Sequence, residues 1–187
     1  MINTLNDLYR QINSPIDLYK WMSKHIEYGY VNTYTNKRIL NANSMNENNI
    51  VGWTLSSPEN VFSTKLGICH DQAWFINNFF EHKPIDHKVF YLKGWYNDNS
   101  YDTHTFIIFK YDSIWYHFEN AWNSHNGIHM GGRNMENTLR MIINRWASDS
   151  GLVYDDVVIR ELVELPDYET DSDTYMKYAF MSPVIII

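Results

Sequence analysis

A chain of 187 residues with fifteen basic against twenty-two acidic side chains, a formal charge of -7, offers no broad positive field for phosphate backbones or anionic lipid. Nucleic acid and membrane surfaces are therefore not expected partners. With 44% hydrophobic and 16% aromatic residues, it is long and apolar enough to bury a core as one domain over 1–187 without staples.

The opening MINTLNDLYRQIN has neither the basic start nor the apolar run of a signal peptide, and no later apolar run approaches membrane-spanning length. One unpaired cysteine suits a reducing compartment, so a cytoplasmic address is expected. Ser14 before Pro15 sets a capping hydroxyl ahead of a proline at the first helical position, and Leu18, Trp21, Met22 and Ile26 follow at helical spacing. This predicts an amphipathic helix. Residues 32–49, heavy in asparagine, read as a loop placed to border a site. Ser57-Pro58-Glu59 repeats the helix-start chemistry for a short helix to about Thr64, with Gly67 as its stop.

The stretch KLGICHDQAWFINNFF, residues 65–80, opens a helix at Cys69 with Cys69, Ala73, Ile76 and Phe80 on one face and Trp74 and Phe75 widening the apolar band. It is expected to be the buried central helix. The run KVFYLKGWY, 88–96, reads as a strand and the polar stretch 97–101 as its end. Residues 103–110 and 114–119 read as an antiparallel hairpin about a turn near Asp112-Ser113. Beyond it, 134–147 read as a helix, 152–165 as one or two strands, and the acidic 167–173 as a loop. Trp95, Tyr96, Tyr101 and Trp115 read first as core and sheet packing, with some placed to wall a groove.

Taken alone, Cys69 reads as an inert buried thiol and His104 as a sheet histidine satisfied by a neighbour. Position and company change that reading. A thiol at a helix start sits at the positive end of the dipole beside unpaired N–H groups, and both favour the thiolate. Nucleophilic catalysis then needs a base, and the base an orienting group. With a turn of two or four residues, paired positions in the hairpin sum to an odd number, so His104 shares its face with Glu119. If pairs sum to 225, Glu119 is diagonal to His104; if they sum to 223, it is directly opposite. A loop of three or five residues offers Asn120 instead. His117, His125 and His129 raise the question of a metal, but Asn126-Gly127 argues for a turn and no metal site is expected.

The order GICHDQA, DTHTFIIF, WYHFENAW, preceded by WTLSSPENVFSTKLGIC, resembles the transglutaminase-like superfamily and its bacterial or phage members, which share a papain-like arrangement of cysteine, histidine and acid. The resemblance covers residues 53–129. It puts Cys69, His104 and Glu119 in register with the family's triad, Asp71 with an acid two residues after the nucleophile, and Trp122 with a tryptophan three residues after the acid. Two positions depart from the pattern: the acid is glutamate rather than aspartate, and His70 follows the thiol.

The resemblance implies thiol acyl transfer at a peptide or glutamine side-chain amide, with no cofactor and a protein or peptide as substrate. Cys69 would attack the carbonyl, His104 would take and return the proton, and Glu119 would hold the imidazole. The Cys69 N–H is the natural oxyanion donor, with Trp53 and Gln72 as candidates for a second, while Asp71 reads as support for the helix start. The expected fold is α+β, a central helix carrying Cys69 on an antiparallel sheet carrying His104 and Glu119. A dedicated isopeptidase or deamidase, an aminoacyl or acetyl transferase, and an inactive binding module of the same fold are the alternatives.

Overall fold

The computed structural model describes residues 2–40, 51–152 and 157–187, with helices and strands mixed along the chain in an α+β arrangement. The N-terminal part is helical because its caps are in place. Thr4 Oγ1 accepts the Asp7 N–H at the head of α1 (Leu5–Gln11), a helix the sequence reading did not assign. Ser14 Oγ accepts the Asp17 N–H ahead of α2 (Pro15–His25), as its Ser-Pro start indicates. Leu8, Leu18 and Met22 are fully buried from these two helices.

Strand β1 (Glu27–Val31) follows and pairs antiparallel with β2 (Arg38–Leu40). Part of the segment read as a loop over 32–49 is therefore strand, and its residues 41–50 lie outside the described residues. Ser57 caps α3 (Pro58–Thr64), but the helix stops at Lys65, which takes the left-handed conformation at φ 60°. Gly67 has a different task from the one read for it. It lies in β3 (Leu66–Gly67), which runs parallel to β1, and a Cβ there would come within 3.1 Å of Asp71 Cβ and Gln72 Cγ. The missing side chain lets the strand end close against the start of α4 (Cys69–His82).

Helix α4 is apolar on more than one face, and almost all of it is inside the protein, including Phe75, Phe79 and Phe80 at 0% exposure. Each such ring contributes about 1.5–3 kcal/mol by leaving water. The helix packs on a five-stranded sheet of β4 (His87–Trp95), β5 (Tyr101–Tyr111), β6 (Ile114–Glu119), β7 (Gly127–Gly132) and β8 (Val158–Leu162), in the order β7-β6-β5-β4-β8 with every pair antiparallel. One face joins Val89, Tyr91, Ile107, Phe109 and Phe118 to the α4 side. The other joins Phe90, Leu92, Phe106, Ile108 and Trp115 to α5 (Met135–Ser150). Coverage on both faces explains why β4 reads as a continuous apolar run.

Three boundaries differ from the sequence reading. Strand β5 begins at Tyr101, because the polar segment is a tight turn closed by Tyr96 N–H to Ser100 O at 2.8 Å. The segment GIHMGG is strand β7, paired to β6. The acidic loop ends early, since Asp171 caps α6 (Ser172–Met181) by accepting the Thr174 N–H at 2.9 Å. Of the one or two strands read over 152–165, β8 forms, and residues 153–156 lie outside the described residues. Among the described residues no helix is long and apolar enough to cross a membrane.

Candidate active site

The hairpin decides which acid meets His104. Its turn is the two-residue Asp112-Ser113, both at positive φ (47° and 64°), the backbone of the turn type that matches strand twist. Pairs such as Ile107 with Phe118 and Tyr111 with Ile114 then sum to 225. Glu119 therefore shares the His104 face and sits diagonal to it, and its Oε2 lies 2.7 Å from His104 Nε2. Asn120 points the other way and donates its Nδ2–H to Gln72 Oε1 at 2.7 Å on the α4 side.

His104 and Glu119 are 5% and 3% exposed, so their pairing is desolvated. Glu119 is held at its second oxygen as well: Oε1 accepts the Ala121 N–H at 2.7 Å and the Trp122 N–H at 3.0 Å. Burial alone pushes this carboxyl up, but the charge and hydrogen bond of His104 outweigh it, with help from His117, and hold it well below the usual carboxylate range. His104 moves the opposite way. Burial opposes its charge, and Glu119 together with a hydrogen bond to Cys69 raises it well above an ordinary imidazole. The Trp122 ring stands edge-on to His104, with centroids 5.9 Å apart.

Cys69 arrives from the other side of the fold. The β5–β6 ladder stops at Ile107 and Phe118, three residues short of His104 along β5, and Cys69 at the start of α4 lies within electrostatic reach of His104. Since His104 Nε2 is engaged by Glu119, Nδ1 is the nitrogen left for Cys69. The first main-chain bond of α4 runs from Gln72 N–H to Ile68 O at 3.0 Å, so the Cys69 N–H has no acceptor within the helix. Burial pushes the thiol up, while His70, through its charge, and His104, through its hydrogen bond, bring it well below an ordinary cysteine.

Asp71 fixes this helix start. Fully buried, it accepts the Trp53 indole N–H (2.9 Å) and the Ile68 N–H (3.0 Å) on Oδ2 and the Ser56 N–H (2.8 Å) on Oδ1. Burial raises its carboxyl to about 6 against the pull of these three donors. The Trp53 N–H is thereby committed to Asp71, which corrects its reading as a free oxyanion donor. Gln72 is a brace: its Nε2 donates to Gly67 O at 2.7 Å while its Oε1 takes the Asn120 amide.

Three further placements depend on packing. His70 Nδ1 lies 3.8 Å from Cys69 Sγ, and His70 is buried. Asp102, on the His104 face of β5, lies within electrostatic reach of both Cys69 and His104. His117, 1% exposed, has Nε2 3.4 Å from Glu119 Oε2, and burial keeps it below an ordinary imidazole. Cross-strand pairing sets His117 opposite His129, whose ring stacks on His125 at 3.8 Å. Even so, among the described residues no three His, Cys, Asp or Glu side chains are arranged to hold a metal ion.

No family model and no curated protein matches this chain. A thiol at a helix start, an imidazole within its electrostatic reach raised above ordinary basicity and a buried carboxylate on that imidazole have the parts that thiol-dependent attack on a carbonyl requires.

Proposed function

We propose that this chain is a cysteine acyltransferase or amide hydrolase of transglutaminase-like fold, acting on a peptide or glutamine side-chain amide. The observation that carries the reading is the buried Glu119–His104 pair, 2.7 Å apart, within electrostatic reach of the Cys69 thiol at the start of α4. In the resting pair the thiol proton is on His104. Cys69 Sγ attacks the amide carbon, and the carbonyl oxygen takes the negative charge beside the Cys69 N–H. Collapse of this adduct breaks the C–N bond as His104 gives its proton to the departing nitrogen, leaving a thioester on Cys69.

Water or an amine then attacks the thioester, His104 takes its proton, and the thiolate leaves. Water gives hydrolysis or deamidation, and an amine gives transfer. Glu119 stays ionised throughout and holds the imidazole in orientation, and no cofactor is needed. The test is release of ammonia or amine from glutamine-containing and isopeptide-linked peptides, with Cys69→Ser as the blank. Release above the blank, with amine incorporation scored in parallel, supports the reading and fixes the partition. Wild-type protein that matches the blank on both substrate types contradicts it.

A further inference from the structure

The mechanism above uses one imidazole at Cys69, yet a second touches the sulfur. His70 Nδ1 lies 3.8 Å from Sγ, and His70 is 2% exposed, with its ring 4.5 Å from that of Tyr175 and 5.5 Å from that of Trp53. The same Nδ1 is 2.6 Å from Thr105 Oγ1, Thr105 Oγ1 is 3.4 Å from the Tyr175 hydroxyl, and that hydroxyl accepts the Trp74 indole N–H at 3.3 Å. Every member of this chain is buried.

The backbone explains the arrangement. Thr105 follows His104 in β5, and strand alternation sends the two side chains to opposite faces. His104 thus meets the thiol from one face, while Thr105 holds His70 against it from the other. Hydroxyls rotate and either donate or accept, so Thr105 can accept from Nδ1–H while that same N–H faces a thiolate. Two neighbouring strand residues therefore bring two imidazoles to one sulfur.

Resting on the thiol acyl-transfer reading, we infer that His70 is a second imidazole stabilising the Cys69 thiolate from the core side, which leaves His104 for proton transfer to and from substrate. The thiolate is both the attacking group of acylation and the leaving group of deacylation, so one contact serves both half-reactions. The thiol's electrostatics agree: against the opposing effect of burial, the charge of His70 helps bring it well below an ordinary cysteine.

The test is the pH midpoint of Cys69 alkylation by iodoacetamide in wild type, His104→Ala, His70→Phe and the double variant. An ordinary thiol gives a midpoint of about 8.5. With His104→Ala the midpoint stays at least about one unit below that value although amide turnover is lost, with His70→Phe it rises by at least about one unit, and the double variant reaches the ordinary value. His70→Asn, whose amide nitrogen takes the place of Nδ1, falls between wild type and His70→Phe. If His70→Phe does not fold, His70→Asn decides alone, and a midpoint equal to wild type overturns the inference. A low wild-type midpoint insensitive to His70 overturns the role of His70 and leaves the triad standing. An ordinary wild-type midpoint overturns both.

Discussion

Replacing Glu119 by glutamine keeps the shape of the site and removes one buried charge. The carboxylate is 3% exposed and its Oε2 is 2.7 Å from His104 Nε2. With charge centres about 4 Å apart and an effective dielectric of about 20, the pair is worth about 4 kcal/mol, or about 3 pKa units on His104. The sign follows from the protonation states: the carboxylate favours imidazolium, so its loss lowers the His104 pKa and lets burial keep the ring neutral.

The tautomer changes as well. The introduced amide keeps a carbonyl for the Ala121 and Trp122 N–H groups and turns its NH2 towards His104 Nε2, which must then accept. The imidazole proton moves to Nδ1, where it faces the sulfur and cannot take the thiol proton. Glu119→Gln should lower the His104 midpoint, followed by the NMR shift of its ring Cε1–H, by about 3 units. Amide turnover should fall roughly 10²–10⁴-fold. A His104 midpoint within half a unit of wild type, with turnover retained, would refute the reasoning.

The same residue sets an acid limit on stability. Glu119 is held well below an ordinary carboxyl in the fold, so the stability it confers is present above about pH 4.3 and is lost as pH falls through the folded value. In urea unfolding, the wild-type advantage over Glu119→Gln should hold between about pH 5 and 6 and shrink below about pH 4. Asp71→Asn keeps a carbonyl for the Trp53 and Ile68 N–H groups but sets its NH2 against the Ser56 N–H, and should cost about 1–3 kcal/mol in unfolding free energy, with a rise in the Cys69 alkylation midpoint. Trp122→Ala removes the ring that stands edge-on to His104, and water entering there should raise the same midpoint and lower turnover roughly tenfold or more. Tyr175→Phe removes the acceptor of the Trp74 N–H and a partner of Thr105, and should cost about 1–3 kcal/mol by thermal or urea unfolding.

What was legible in the sequence follows the range of the forces involved. Ser14 and Ser57 cap helices within three residues of themselves, and the two-residue turn at Asp112-Ser113 sets the parity that brings Glu119 rather than Asn120 to His104. These are local rules acting on local sequence. Strand β7 was missed because three of its six residues are glycine and its pairing to β6, not its propensity, makes it a strand. Helix α6 was missed because Asp171 reads as one more loop acid until it is seen capping Thr174.

Trp53, one of two candidates for a second oxyanion donor, drops out for a related reason. Its N–H is claimed by Asp71 across eighteen residues, a contact that no spacing rule encodes. The contact of His70 with the thiol and the approach of His117 to Glu119 likewise depend on how α4 and β6 sit in the packed fold.

The most direct measurement of the central claim is acylation of Cys69 by p-nitrophenyl acetate at about pH 6, followed by intact mass and p-nitrophenol release, with the urea-unfolded chain as the ordinary-thiol control. The expected result is a single acetyl group on Cys69, formed at least tenfold faster in the folded protein than in the unfolded chain, absent in Cys69→Ser and slowed in Glu119→Gln. Equal rates in folded and unfolded chains would contradict the claim, because the fold would then give Cys69 no activation.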